Sequence, residues 1–68
     1  MMIVLNGEPR EAPTGTTVAE LIAAAGIEPE RRGIAVAVDG EVVPRSEWET
    51  ALLADGARIE VLQAVAGG

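Results

Sequence analysis

Thr17-Val18-Ala19-Glu20-Leu21-Ile22-Ala23-Ala24-Ala25-Gly26 is the stretch on which the fold turns. Thr17 and Glu20 stand at the spacing of a capping box, in which the hydroxyl takes an orphan backbone N–H and the carboxylate reaches back to the cap. Val18, Leu21, Ile22 and Ala25 fall at i, i+3, i+4 and i+7, a single apolar stripe. Gly26 supplies the left-handed stop. The spacing predicts one amphipathic helix with one face to bury.

Everything on either side of it reads as strand and turn. Upstream, Met2-Ile3-Val4-Leu5 is rich in β-branched residues and runs into Asn6-Gly7, a pair that tolerates the positive φ of a tight hairpin. Glu8-Pro9-Arg10-Glu11 is the weaker return strand, and Pro9 puts it at a sheet edge. Downstream, residues 28–33 form a charged loop with Pro29 and Arg31-Arg32. Ile34-Ala35-Val36-Ala37-Val38, Asp39-Gly40 and Glu41-Val42-Val43 form a second hairpin that Pro44 closes. A short helical turn is expected over residues 46–53, with Ser46 and Glu49 again at capping-box spacing. After Asp55-Gly56 comes the last strand, Arg58-Ile59-Glu60-Val61-Leu62, with Ile59 and Val61 facing one way and Arg58, Glu60 and Leu62 the other.

Hairpin, helix, hairpin, connector, strand gives an α+β fold in which one main helix covers one face of a mixed four- to five-stranded sheet. The simplest closure sets the last strand beside the first, in the middle. That arrangement is the ubiquitin-like β-grasp. Residues 1–63 are expected to form this domain and residues 64–68 a flexible C-terminal tail.

Composition excludes most side-chain chemistry. The 68 residues contain no Cys, His or Lys, and five Arg stand against eleven acids. Zinc fingers, thiol nucleophiles and His-centred acid–base systems are therefore absent, as is any disulfide to staple so small a core. A net charge of −6 argues against nucleic acid, where basic patches neutralise phosphate. No apolar run approaches the roughly 18 residues of a membrane span, and no basic leader precedes an apolar run. A cytoplasmic protein, monomeric alone, is expected, with no bound cofactor and no metal. Glu28/Glu30, Glu47/Glu49 and Arg31-Arg32 read as solvated charge.

The chain ends Gln63-Ala64-Val65-Ala66-Gly67-Gly68. Two glycines make a thin end that can thread a narrow channel and deliver the Gly68 carboxylate to a buried site. A carboxylate is a poor acyl donor and must first be activated, most simply by adenylation.

Four stretches carry a resemblance that covers essentially the whole chain: Ile3-Val4-Leu5-Asn6-Gly7, Thr17-Val18-Ala19-Glu20-Leu21, residues 35–48 with their Val42-Val43-Pro44-Arg45-Ser46-x-Trp48 end, and residues 55–68 with Ala64-Val65-Ala66-Gly67-Gly68. Together they resemble the ubiquitin-like sulfur carriers of thiamine biosynthesis, which usually hold more aromatics than the single Trp48 present here. The resemblance implies a protein co-substrate and not an enzyme. An adenylyltransferase using ATP and Mg²⁺ would adenylate Gly68, and persulfide sulfur would displace AMP to leave a thiocarboxylate. Thiazole synthase would then accept the sulfur.

Related carriers, such as the small subunit of molybdopterin synthase or a carrier of cysteine biosynthesis, share the fold and tail. The molybdopterin relatives, however, often place prolines where this chain has Leu62-Gln63-Ala64-Val65. A ubiquitin-like modifier is the alternative of another class, and the lack of Lys removes lysine-linked chains of the protein itself. Ala66, Gly67 and Gly68 form the tail that partners would receive. Val4 and Leu62 alternate onto the open sheet face and, with Val65, are expected to bind partners; the competing reading is ordinary exposed apolar surface. Trp48 reads as an anchor that packs the connector onto the core.

Overall fold

The computed structural model describes residues 1–64; Val65, Ala66, Gly67 and Gly68 lie outside the described residues. The first hairpin pairs β1 (Met2–Leu5) with β2 (Glu8–Glu11), and the helix α1 (Val18–Ala24) follows. The second hairpin is β3 (Ile34–Val38) with β4 (Glu41–Val42), then a 3₁₀ turn (Arg45–Glu47) and the long strand β5 (Arg58–Gln63). Strand order is β2-β1-β5-β3-β4, with β5 parallel to β1 and antiparallel to β3. The last strand thus sits in the centre beside the first, as the β-grasp reading expects.

Local chemistry accounts for the helix boundaries. The Thr17 N–H donates to Glu20 Oε1 at 2.9 Å, and the Glu20 N–H to Thr17 Oγ1 at 3.2 Å, completing the capping box. At the other end Gly26 takes φ +86°, and the Ile27 N–H reaches back to the Ile22 carbonyl at 3.1 Å. With the Gly26 N–H on Ala23, this is a Schellman stop. Arg10 adds a cation from β2, donating from Nη2 to the Ala24 carbonyl at 2.9 Å, where the helix dipole favours positive charge.

Val18, Leu21 and Ile22 are buried on the sheet together with Ile3, Val36, Ile59 and Val61. Each such side chain contributes roughly 1.5–3 kcal/mol of transfer free energy. Trp48, with 3 % of its surface exposed, and Leu53 close the open end of this layer, so the connector is anchored as expected.

The connector itself corrects one detail. Its helical turn begins at Arg45, with Pro44 at the cap position and no side-chain cap hydrogen bond. Ser46 and Glu49 do not form a capping box. Proline starts the turn at φ −59°, so the cap falls two residues before Ser46, and the turn ends at Glu47, short of the expected residue 53, with the buried Trp48 following it. Among the described residues no helix is long and apolar enough to cross a membrane.

Candidate functional site

The feature to be positioned is the C-terminal end of β5, which leads to the Gly-Gly. Two turn residues clasp this strand from opposite sides. Asn6, at φ 48°, donates its backbone N–H to the Ile59 carbonyl at 2.9 Å. Its side-chain amide then pairs with Val61, accepting the N–H at 2.8 Å and donating to the carbonyl at 3.3 Å. The amide behaves as one more peptide unit of β1, carrying the parallel pairing past the turn. Asp39, at φ 50°, works likewise from β3: its N–H donates to the Arg58 carbonyl at 2.8 Å, and Oδ1 accepts the Arg58 N–H at 3.0 Å. Asn and Asp serve these turns because they tolerate positive φ and also hold the central strand.

Beyond Val61, among the described residues, β3 is the strand that accompanies β5. Ile34 stands opposite Gln63, and the Ala64 N–H donates to the Gly33 carbonyl at 2.7 Å. Gly33 has φ +80°, and a Cβ built there would lie 3.1 Å from Ala64 Cβ. Both the positive φ and the close approach favour glycine here.

The sheet face opposite α1 carries the other predicted residues. Val4 and Leu62 both lie on it, on neighbouring strands, but the register keeps them apart. Val4 stands beside Arg58, four residues before Leu62, or about 13 Å along the strand. They are two spots on one face and do not touch as a pair. Leu62 is 67 % exposed and lies across from Ala35. Val4 is half-buried and lines a shallow recess of about 420 Å³ with Asn6, Gly7, Arg58 and Glu60. Val42, 74 % exposed, stands across from Ala37 on the same face. Sequence reading passed over it because a two-residue edge strand shows too little alternation to fix its facing.

Arg45 is a second residue that sequence reading did not single out. Its guanidinium lies 4.2 Å from the Trp48 ring centroid. It donates to the Pro29 carbonyl and, at 2.6 Å, to the Arg31 carbonyl. The Pro44-Arg45-Ser46-x-Trp48 spacing was the available signal, since a 3₁₀ turn brings i and i+3 together. Glu28, Glu30, Glu47, Glu49, Arg31 and Arg32 are exposed. No group of three or more acids among the described residues is placed to hold a metal ion.

The ThiS family model matches residues 3–68. The chain is 32 % identical to the sulfur carrier protein ThiS of Escherichia coli K12 over 68 residues, covering both proteins fully. It is 38 % identical to a segment of a thiazole synthase of Magnetococcus marinus, matching all of this chain but 20 % of that protein. The crystal structure of the thiamine biosynthesis protein ThiS of Geobacter metallireducens superposes with a TM-score of 0.82 at 27 % identity, covering 100 % of both chains.

Proposed function

The chain belongs to the ThiS family, and from that premise we propose that its working group is the Gly68 carboxylate, which carries sulfur as a thiocarboxylate. The protein is a sulfur carrier of the thiamine pathway, a co-substrate and not a catalyst. The observation that supports a role for Gly68 is the alignment with the Escherichia coli carrier, which spans both chains end to end and therefore includes Gly67-Gly68.

The chemistry follows from what a carboxylate lacks. Its oxygen attacks the α-phosphate of ATP on a Mg²⁺-using adenylyltransferase, pyrophosphate leaves, and the acyl carbon acquires AMP as leaving group. A persulfide sulfur displaces AMP, and a thiol cleaves the resulting acyl disulfide to leave the thiocarboxylate. That anionic sulfur is a nucleophile that needs no cysteine, and the chain contains none. Tethering it to a docked protein supplies positioning that free sulfide lacks. A segment like this chain forms part of a polypeptide named thiazole synthase, which supports thiazole synthase as the sulfur acceptor.

Intact mass spectrometry tests this reading. After co-expression with the adenylyltransferase and a sulfur source, the chain is expected to gain the mass difference between one sulfur and one oxygen. No gain beside an adenylyltransferase active on another carrier would overturn it. Reconstitution with thiazole synthase then reads transfer of the sulfur.

Docking falls to the open sheet face, through Leu62 and Val4 on the strands and Val65 just beyond. Leu62→Glu is expected to weaken the complex with the adenylyltransferase by about tenfold or more, as removal of a central apolar contact does. Melting should be unchanged, because Leu62 is 67 % exposed. Titration calorimetry beside a thermal melt measures both, and equal affinity would remove Leu62 from the interface.

A further inference from the structure

The segment that carries the carboxylate continues from Ala64, the last described residue. The last described hold on that segment is the Gly33–Ala64 hydrogen bond, one residue beyond the Ile34–Gln63 pair, so the place of Gly33 contributes to where Ala64 sits. Gly33 ends the segment of residues 28–33, which is mostly exposed and carries one turn bond of its own, from the Arg31 N–H to the Glu28 carbonyl at 3.0 Å. Little within it fixes its path.

Arg45 supplies the missing constraint. Two guanidinium nitrogens donate to the carbonyls of Pro29 and Arg31, either side of one turn. A planar fork holds two acceptors in one plane, which a lysine ammonium cannot do. The guanidinium is itself laid on the Trp48 ring at 4.2 Å. That ring is fixed in turn, buried in the core with its Nε1–H donating to the Val43 carbonyl at 2.9 Å. A line of contacts therefore runs from the core through Trp48, Arg45 and the 28–33 segment to Gly33 and Ala64. We infer that Arg45 is a positioning residue for the C-terminal segment, setting through Gly33 the direction in which Gly68 is presented to an activating enzyme. The second half of this inference rests on the proposed role of Gly68.

Amide exchange by NMR and steady-state adenylation kinetics test the two halves on the full chain, with Arg45→Gln and Arg45→Lys. In Arg45→Gln the Ala64 amide is expected to exchange about tenfold faster, as local opening without global unfolding allows. The Val61 amide, held by Asn6, should keep its rate. Adenylation should show kcat lowered by about tenfold with KM unchanged, since docking is intact and only the reacting end is misplaced. Arg45→Lys, able to reach one carbonyl, should fall between.

Unchanged exchange at Ala64 in both variants overturns the inference. Equal acceleration at Ala64 and Val61 with a lowered melting temperature also overturns it, because Arg45 would then be merely structural. A wild-type chain that is never adenylated sinks the proposed role of Gly68 instead, while the exchange rates still decide whether Arg45 anchors Ala64.

Discussion

Trp48→Ala is expected to remove much of the chain's stability, about 3–5 kcal/mol. A 68-residue domain has roughly 3–10 kcal/mol of stability at 0.05–0.15 kcal/mol per residue, and it has no disulfide to add more. Removing a buried tryptophan costs about 3–5 kcal/mol in lost transfer energy and residual cavity. Trp48 is the only aromatic residue in the sequence, and among the described residues ten of the eleven buried apolar side chains are aliphatic, so no other ring is at hand to fill the space. The substitution also removes the surface on which Arg45 lies and the donor to the Val43 carbonyl. Far-UV circular dichroism through a urea titration is the measurement, since the variant has no fluorophore left. Trp48→Phe separates the contributions in part: it retains a ring for packing and stacking, and loses the Nε1–H, at a cost of about 1–3 kcal/mol for the deserted carbonyl, together with part of the buried indole volume. A Trp48→Ala midpoint near that of the wild type would show that the core is held elsewhere.

How far each feature could be read from sequence follows the range of the forces involved. The α1 boundaries were legible in Thr17, Glu20 and Gly26 because capping acts over three or four residues. Asn6-Gly7 and Asp39-Gly40 marked their hairpins because positive φ is a property of the residues themselves. Ser46 and Glu49 show where the same logic stops. Their spacing was right, but Pro44 and the burial of Trp48 govern the phase of that turn. Spacing on its own is a weaker constraint than the placement of a large side chain.

The register between β1 and β5 is less accessible still. Alternation put Val4 and Leu62 on one face correctly, since facing has period two. Nothing local states that Val4 stands beside Arg58 and not beside Leu62; that offset is a property of the long-range parallel pairing of β1 with β5. The second roles of Asn6 and Asp39 were hidden for the same reason. Their clasp on β5 joins residues 55 and 19 positions apart. Arg45 stood in the quoted Pro44-Arg45-Ser46-x-Trp48 motif without a role, because only the fold shows two backbone carbonyls within its reach.

Deleting Gly68 is expected to abolish acquisition of sulfur, a loss of at least about 10²-fold, while leaving the fold untouched. The argument is one of reach. Ala64 is held at Gly33, and the four residues beyond it extend at most about 14 Å at 3.3–3.6 Å each. The deleted chain still ends in a glycine carboxylate of the same chemistry, but that carboxylate stops about 3.5 Å short. Reacting atoms must approach to about 3–3.5 Å, and an error near 1 Å can cost about 10²-fold, so a one-residue deficit is decisive. Deleting Ala66 instead keeps the Gly-Gly end and removes the same length. Equal loss in both variants assigns the effect to reach, whereas survival of the Ala66 deletion would assign it to the two glycines as such. Gly68→Ala keeps the length and adds one methyl group, and it should fall between wild type and deletion if the receiving channel is narrow. Intact mass after co-expression reads all three variants on one scale. Sulfur acquired by the Gly68 deletion at the wild-type level would mean that the terminal carboxylate is not what the enzymes measure, and the assignment of Gly68 would fall with it.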